Sequence, residues 1–474
     1  MSKDIDKKND SDMVTPILEL VQFAIIGICN IAWELIKYVY TNLKPIDPDN
    51  IDVIKIEHDQ LKTKYKTEHP LALGADTLSG NEVTFPEINF KHHTFIVGSS
   101  GYGKTNLMSI LQENTLRKRL PIIFFDPKGD IEAMNTFKDI CQQYSRKCYI
   151  FSEYYNDSVE LNPLKEGSVS IIVDRIMSSF EWSEQFYKEA CKDLLFDSVK
   201  EIKSNPELNL NLKSLYCVLK SKQTKENRGV VTKIRGILES AFGDKFSEDI
   251  GVSLSDIRRE RACLYIGLST QGHGDTAIGV GKLLFNELKN HSYEMMTSTE
   301  LKSWALANPI GVYIDEFGAL VQPDFIEIEN KCRGAGIEIT IAVQTPADIA
   351  IVNPELKNQV IENTGNIFVL KQRLDENASY FSDAIGTTLT KKMTYVTIDG
   401  EVGERGSLRE GQESIAHSNI IKNLRVGQCV FLQQNPTKVN LINIRRRKEN
   451  KVVKTKNNLH SKNEKGVIRV NSNK

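Results

Sequence analysis

One segment of this chain has the composition of a loop that binds phosphate. It contains three glycines, a lysine and a threonine in the order Gly98-Ser99-Ser100-Gly101-Tyr102-Gly103-Lys104-Thr105. Glycines let backbone N–H groups converge on phosphate oxygens, and the N-terminus of a following helix adds partial positive charge. An apolar, strand-like run at 94–97 precedes the segment and a helical pattern at 106–111 follows it, which is the context that a P-loop requires. We therefore predict that all eight residues bind a nucleoside triphosphate, with the ammonium group of Lys104 at the β- and γ-phosphates and the hydroxyl of Thr105 on Mg²⁺.

A pair of adjacent carboxylates could supply the acidic side chains that a nucleoside triphosphate hydrolase needs beside its P-loop. Asp315 and Glu316 directly follow the apolar run 311–314. Asp315 can bind Mg²⁺ through water, and Glu316 can polarise the water that attacks the γ-phosphate. Acidic pairs after apolar runs are common in proteins, so the prediction depends on the P-loop that accompanies them.

Two further side chains are weaker catalytic candidates. Gln344 ends the apolar run at 339–343 and can sense the γ-phosphate; the alternative is an ordinary hydrogen bond at the end of a strand. Arg333 lies just before that run and can reach a neighbouring subunit's ATP in a ring; the alternative is a surface arginine. The chain has no Asn-Lys-x-Asp element for reading guanine, so ATP is the expected nucleotide.

The elements around these residues predict an α/β fold. Strand-like runs return at 263–268, 310–314 and 337–343, each followed by helical or loop sequence, and this alternation favours a mostly parallel sheet. Between 168 and 242 apolar residues recur at three- and four-residue spacing, which predicts an all-helical insertion. A chain of 474 residues is long enough for two or three folding units.

Charge and cysteine content restrict the remaining possibilities. The net charge is −1, but residues 445–474 contain eleven Lys or Arg against two Glu. This basic tail is expected to be disordered, either as a solubilising end or as an arm that binds phosphate or lipid. The eight cysteines form no CxxC pair, so we expect reduced thiols and no zinc site.

Residues 17–40 form the one segment with a possible relation to a membrane. Their most apolar part, 20–33, is shorter than the ~20 residues needed to cross a bilayer. On a helix, five polar residues share about a third of the circumference: Glu19, Gln22, Asn30, Glu34 and Lys37. Three interpretations stay open: a marginal span whose polar stripe faces partner helices, an in-plane interfacial helix, or a helix docked on another protein.

Several motifs together resemble the TraD-like coupling ATPases of conjugation and type IV secretion. The most distinctive is the run from Phe125 to Asp130, which reads FDPKGD. Others are DEFG at 315–318, VQT at 343–345, GSLRE at 406–410 and NLRVGQ at 423–428, and the likeness extends over about residues 70 to 445. From the residues alone, Asp126 and Lys128 form a charged turn at a strand end, where they are expected near the nucleotide or a subunit interface.

The resemblance implies a RecA-like motor with an all-α domain, assembled as a homohexameric ring on the cytoplasmic face of a bacterial inner membrane. It also implies pumping of DNA, single- or double-stranded, or of protein-linked DNA, between a relaxase and secretion-channel proteins. Lys104 and Thr105 correspond to Walker A, Asp315 and Glu316 to Walker B, Gln344 to the sensor and Arg333 to the trans-acting finger. Independently of the resemblance, Asp126 is predicted from its place at a strand end to bind the nucleotide. The chain departs from the family in having one short amphipathic segment in place of two N-terminal membrane helices, and no long acidic extension after the motor.

The predicted organisation has seven parts. In order they are a disordered N-terminus at 1–13, a membrane-associated helix at 14–43, a linker at 44–70, the first part of the ATPase domain at 71–167, an all-α inserted domain at 168–245, the second part of the ATPase domain at 246–445 and a basic tail at 446–474. The expected function is that of an ATP-driven DNA translocase acting as a coupling protein. The alternatives are a translocase of the HerA or FtsK kind acting in segregation or processing, and an ATP-gated scaffold that recruits protein effectors.

Overall fold

The computed structural model describes residues 32–33, 71–77, 79–85, 92–247, 251–322, 325–398, 401–434 and 437–447. The predicted N-terminus, membrane-associated helix and linker lie outside these residues apart from 32–33, and the predicted tail lies outside them apart from 446–447. Within the described ranges, no helix combines the length and the apolar composition that crossing a membrane requires.

Thirteen strands lie in the described part of the chain. They are β1 (Ala72–Asp76), β2 (Glu82–Thr84), β3 (His93–Val97), β4 (Ile122–Asp126), β5 (Cys148–Phe151), β6 (Cys263–Gly267), β7 (Ile310–Ile314), β8 (Ile337–Val343), β9 (Thr364–Val369), β10 (Thr387–Ile398), β11 (Glu401–Ser414), β12 (Gln428–Gln434) and β13 (Thr437–Ile444).

Fourteen α-helices accompany these strands in the same ranges. They are α1 (Lys104–Arg117), α2 (Ile131–Gln143), α3 (Val169–Ser178), α4 (Gln185–Ser204), α5 (Leu212–Ser221), α6 (Arg228–Leu238), α7 (Leu254–Arg259), α8 (Thr270–Glu294), α9 (Thr299–Ala307), α10 (Phe325–Gly334), α11 (Ala347–Ala350), α12 (Pro354–Asn363), α13 (Asp375–Ile385) and α14 (Ser418–Asn423).

Eleven of the strands form one sheet in the order β2-β1-β13-β12-β9-β3-β8-β7-β4-β6-β5. The seven strands from β9 to β5 are parallel to their neighbours, and β2, β1, β13 and β12 extend the sheet by antiparallel pairing. The predicted α/β fold with a mostly parallel sheet is therefore confirmed. The remaining two strands, β10 and β11, pair with each other as a separate long hairpin that the sequence analysis did not predict. The GSLRE motif lies on this hairpin.

The sheet is covered on both faces, as its strand sequences require. Successive residues of a strand point to opposite faces, so a strand buried on both sides is a continuous apolar run. In β4, Ile123 and Phe125 belong to one buried cluster, and Ile122 and Phe124 belong to the other. The second cluster contains the apolar side chains of α1 and α2, whereas the first contains those of α3 to α8.

Helices α3 to α7 occupy the connection between β5 and β6. Apolar side chains at helical spacing, such as Leu195 and Val199 in α4, are fully buried in the cluster that also contains the sheet residues Phe125 and Phe151. Ser168 caps α3 by accepting a hydrogen bond from the backbone N–H of Ile171. The described helices thus extend beyond the predicted insertion, to Arg259, and the boundaries of a separate domain stay a prediction.

One buried carboxyl group in α10 makes stability depend on pH. Glu329 is 1% exposed, and its Oε2 atom has no hydrogen-bond partner within the described part of the chain. Burial raises the pKa of this carboxyl group from 4.5 to about 8, against a hydrogen bond with Asn363 that lowers it. The pKa of Glu329 is higher in the folded state than in the unfolded state. The stability that protonated Glu329 contributes is therefore complete below about pH 4.5 and is lost as the pH rises through about 8.

We expect the wild type to lose stability when the pH is raised from about 5 to about 9, whereas Glu329→Gln should not. The free energy of unfolding of Glu329→Gln should therefore rise relative to that of the wild type by roughly 1 kcal/mol or more. The reason is that the amide stays neutral throughout this range. Urea unfolding of both proteins at the two pH values measures the change. If the two proteins differed in free energy of unfolding by the same amount at both pH values, the raised pKa of Glu329 would be contradicted.

Candidate active site at the carboxyl edge of the sheet

The predicted phosphate loop lies between β3 and α1. Every residue of β3 is buried, and α1 begins at Lys104 with Gly103 as its N-cap. Gly101 and Gly103 have φ angles of 82° and 104°, a backbone conformation that glycine adopts without steric cost. The glycines therefore allow the chain to turn sharply from the strand into the helix, with the helix N-terminus opening on the loop.

Neighbouring strands fix the start of this loop. The backbone N–H of Gly98 donates to the carbonyl of Val343 at 3.2 Å, and that of Ser99 donates to the carbonyl of Lys371 at 3.0 Å. A Cβ atom at position 98 would lie 2.6 Å from the Cβ atom of Leu370, so only glycine fits there. The loop is consequently attached to the ends of both β8 and β9.

Tyr102 presents an aromatic ring inside the loop. The Nζ atom of Lys371 lies 5.3 Å from the centre of this ring, and the guanidinium carbon of Arg373 lies 6.0 Å from it. Ser100 and Thr105, which precede and follow Tyr102 in the loop, are exposed. The sequence analysis missed the two basic residues, although their position directly after the buried strand β9 was a signal that they lie at this edge of the sheet.

Lys104 is folded back onto the loop. Its ammonium group donates to the carbonyl of Gly98 at 2.6 Å, and the side chain is buried. Burial lowers the pKa of Lys104, and the negative charges of Glu316 and Asp315 oppose this effect. The phosphate loop and the acidic pair thus lie close enough to act on each other electrostatically, as the order β3-β8-β7 requires.

Asp315 lies at the end of β7, where its backbone N–H donates to the carbonyl of Phe125 at 3.0 Å. The carboxylate is 6% exposed. The pKa of Asp315 is raised to about 6, mainly by burial and also by the nearby charges of Asp126 and Glu316, against the lowering effect of Lys128. A cation beside this carboxylate would relieve the repulsion.

Glu316 is held by two side chains from neighbouring strands. Its Oε1 atom lies 2.5 Å from the Nζ atom of Lys128, and both of its carboxylate oxygens accept from Nε2 of Gln344 at 3.0 Å. The Glu316 carboxylate raises the pKa of Lys128, although burial acts in the opposite direction. The backbone of Glu316 has a φ of 43°, a strained left-handed conformation for a residue other than glycine. Two predicted catalytic side chains, Glu316 and Gln344, are therefore in direct contact.

Asp348 fixes the position of Gln344, and sequence reasoning did not identify it. Its Oδ2 atom accepts from the backbone N–H groups of Gln344 and Thr345, each at 3.1 Å. These bonds shape the turn that follows β8. The signal available in the sequence was an aspartate three residues after Thr345, a spacing at which side chains often accept from turn amides.

Asp126 is held in place by hydrogen bonds from other residues of the chain. Its carboxylate accepts from the hydroxyl of Tyr265 at 2.6 Å and from the backbone N–H groups of Lys128 and Asp130 at 3.0 Å. Burial raises the pKa of Asp126, against the bond from Tyr265. Asp126 thereby shapes the turn that presents Lys128 to Glu316, and its predicted role beside the nucleotide stays a prediction.

Arg333 does not lie at this site within one chain. It is exposed near the end of α10, and its charge lowers the pKa values of His92 and His93 at the start of β3, for which burial is the larger cause. Because β3 and β8 are parallel, a residue close to their starts lies at the opposite edge of the sheet from the phosphate loop.

The oxygen ligands near the loop fit Mg²⁺. No group of three or more His, Cys, Asp or Glu among the described residues has the arrangement of a complete metal site. Mg²⁺ in phosphate-transfer sites takes one or two protein oxygens and completes its shell with water and phosphate. Thr105 and the carboxylate of Asp315, which has like charges around it, supply that number.

Comparison with known protein families finds two matches. Residues 87–270 match the central domain of helicase HerA, and residues 309–427 match the family described as the TraM recognition site of TraD and TraG. The resemblance predicted from the motifs is thereby confirmed. A search of curated proteins finds no match.

Comparison with solved structures identifies the same fold. The bacterial conjugative coupling protein TrwBdeltaN70 is 14% identical, with a TM-score of 0.58 over 83% of this chain and 92% of that chain. TrwB in complex with ADP and Mg²⁺ is 13% identical, with a TM-score of 0.58 over 83% of this chain and 93% of that chain. VirB4 of Thermoanaerobacter pseudethanolicus is 15% identical, with a TM-score of 0.54 over 80% of this chain and 97% of that chain. At these identities the similarity establishes the fold, which is that of TrwB.

Proposed function

We propose that this chain hydrolyses ATP with Mg²⁺ and uses the energy to move DNA, as the coupling protein of a conjugative or type IV secretion system. The observation that carries the proposal is the convergence of the phosphate loop, Asp315, Glu316 and Gln344 at one edge of the sheet. The two family matches and the fold of TrwB support the coupling role.

In the proposed reaction each side chain has one task. Lys104 turns from the carbonyl of Gly98 to the β- and γ-phosphates, while loop amides and the N-terminus of α1 hold their oxygens. Thr105 and Asp315 would hold Mg²⁺, which would neutralise charge on the phosphates. Glu316 accepts a proton from the attacking water, and Gln344 orients Glu316 and senses the γ-phosphate. Lys128 pairs with the Glu316 carboxylate and holds it in position before the nucleotide arrives.

DNA is the proposed substrate of the motor, and its effect on hydrolysis is measurable. We expect the full chain to hydrolyse ATP faster when DNA is added, with stimulation that falls steeply with salt because phosphate contacts release counterions. Initial ATPase rates with single-stranded DNA, double-stranded DNA and no DNA, each at several salt concentrations, test this.

The alternatives give different results in the same assay. A scaffold that recruits protein effectors would hydrolyse ATP without stimulation by either DNA, and that outcome would contradict translocation. A HerA- or FtsK-like translocase, which the match to the HerA central domain favours, would also be stimulated. Transfer of a plasmid from a donor strain lacking the gene, with and without complementation, separates coupling from segregation.

We also propose that the motor works as a homohexameric ring at the cytoplasmic face of a bacterial inner membrane. The position of Arg333, far from the phosphate loop of its own chain and exposed, supports a role at a neighbouring subunit's ATP. Such an arginine stabilises transition-state charge and typically accelerates turnover by about 10³-fold or more.

Mixed rings test this assignment. Arg333→Ala alone should lose most ATPase activity, and adding Lys104→Ala subunits, which keep Arg333, should restore part of it. Absence of rescue at every mixing ratio, with ring formation checked by light scattering, would argue against action in trans.

A further inference from the structure

Three of the described cysteines meet at one end of the main sheet, away from the phosphate loop. Cys148 and Cys263 are the first residues of β5 and β6, and they lie directly opposite each other in the parallel pairing of these strands. The strand β5 is the last in the sheet, so Cys148 lies at its rim. Cys141 lies in the last turn of α2, and this helix contacts both strands.

The side chains of the three cysteines belong to one cluster. Cys141 and Cys263 are part of the buried apolar layer that α1 and α2 form on the sheet, and Cys148 packs against this layer. The S–H group of Cys141 is shared as a hydrogen-bond donor between the sulfur atoms of Cys148 and Cys263. Cys141 is thus the thiol that contacts both of the others.

The three thiols differ in how far solvent reaches them. Cys148 is half-buried, whereas Cys141 and Cys263 are fully buried, and all three are free thiols. An oxidant in solution therefore meets Cys148 first, because oxidation of thiols follows their exposure. The hydrogen bonds of Cys141 with Cys148 and Cys263, together with burial, raise the pKa of Cys141. This thiol stays protonated and is a poor target for direct oxidation.

We propose that the cluster is a site of reversible oxidation, in which a peroxide converts Cys148 to a sulfenic acid and Cys141 then forms a disulfide with it. In the first step the sulfur of Cys148 takes one oxygen atom from the peroxide, whose O–O bond breaks, and the other oxygen leaves as water. In the second step the sulfur of Cys141 attacks the sulfur of the sulfenic acid. The S–O bond breaks, and the hydroxyl group leaves as water with the thiol proton of Cys141.

The site is independent of the proposed ATPase activity. Two thiols and one hydrogen peroxide become one disulfide and two waters, so no group of the nucleotide site takes part. Cys263 keeps its thiol in this reaction, because its thiol contact is with Cys141 and not with the oxidised sulfur. The bridge would join the last turn of α2 to the first residue of the strand that follows it.

Peptide mapping of the full chain identifies the bridge directly, because trypsin separates the three cysteines. Cleavage after lysine and arginine places them on the peptides 139–146, 148–165 and 262–282. We expect hydrogen peroxide, followed by denaturation and alkylation, to yield peptide 139–146 linked to peptide 148–165. Alkylation of Cys141 and Cys148 should be lost to the same extent, since both sulfurs enter one bond, and dithiothreitol should restore it.

Two variants separate the roles of the reacting thiols. Cys141→Ala removes the thiol that attacks the sulfenic acid, so dimedone, which traps sulfenic acids, should label Cys148 at least about ten-fold more than in the wild type. Cys148→Ser should form no bridge and should leave Cys141 open to alkylation after denaturation. Cys217→Ser is the matched control: it removes an exposed cysteine on α5, and it should form the bridge like the wild type. Circular dichroism checks that each variant is folded.

Four results would overturn the proposal. They are a bridge that contains Cys263, sulfinic acid at Cys148 of the wild type without a bridge, equal labelling of Cys148 by dimedone in the wild type and in Cys141→Ala, and an unmodified Cys148 at peroxide concentrations that oxidise Cys217. The first, second and fourth are decided on the wild-type protein and do not depend on the folding of any variant.

Discussion

Replacement of Lys104 by alanine is expected to reduce ATP turnover by at least about 100-fold. The ammonium group is buried at the phosphate loop, 2.6 Å from the carbonyl of Gly98, and it is within electrostatic reach of Asp315 and Glu316. It is therefore the positive charge best placed to meet the β- and γ-phosphates. Release of inorganic phosphate by purified protein, measured at saturating ATP, gives the size of the loss.

A matched control distinguishes this effect from a general loss of lysine charge. Lys188 is exposed on α4, far from the loop in sequence, and Lys188→Ala should hydrolyse ATP at the wild-type rate. Circular dichroism and thermal unfolding check that both variants are folded. A Lys104→Ala protein with normal turnover would show that this loop does not hold the triphosphate during hydrolysis.

Much of the fold was predictable because its signals are local. The apolar runs before Gly98 and after position 310 are strands buried on both faces, and such strands show themselves as continuous apolar sequence. The glycines with positive φ were recognisable for the same reason, since their spacing reflects a local backbone requirement. Both kinds of signal are complete within about ten residues of sequence.

The contacts around Glu316 could not be predicted in this way. Its partners Lys128 and Gln344 are 188 and 28 residues away along the chain, and only the sheet order brings them together. The antiparallel extension through β12 and β13 has the same character, because its pairing with β9 and β1 depends on tertiary packing. This extension also brings the backbone N–H of Gly427 to the carbonyl of Tyr102 in the phosphate loop, at 3.1 Å, a contact that no local sequence pattern indicates.

The second large effect is expected for Glu316→Gln, which should bind ATP and fail to hydrolyse it. Loss of a general base typically slows the chemical step by about 10²- to 10⁴-fold. Glutamine has nearly the same size as glutamate, so Thr105, Asp315 and the loop stay in place for Mg²⁺ and the phosphates. The substitution also keeps a residue other than glycine at the strained φ of 43°. A loss of activity therefore reports the missing carboxylate and not a relaxed backbone.

Two measurements on Glu316→Gln separate binding from chemistry. Radiolabelled ATP retained by the protein after gel filtration should be recovered as ATP, whereas the wild type should yield ADP. Asp315→Asn is the matched comparison: it alters the neighbouring carboxylate, and it should weaken Mg²⁺-dependent nucleotide binding itself because a metal ligand is lost. If Glu316→Gln hydrolysed ATP at the wild-type rate, the water-activating carboxylate would have to be another group. In that case the contacts of Glu316 with Lys128 and Gln344 would only position residues at the end of β7.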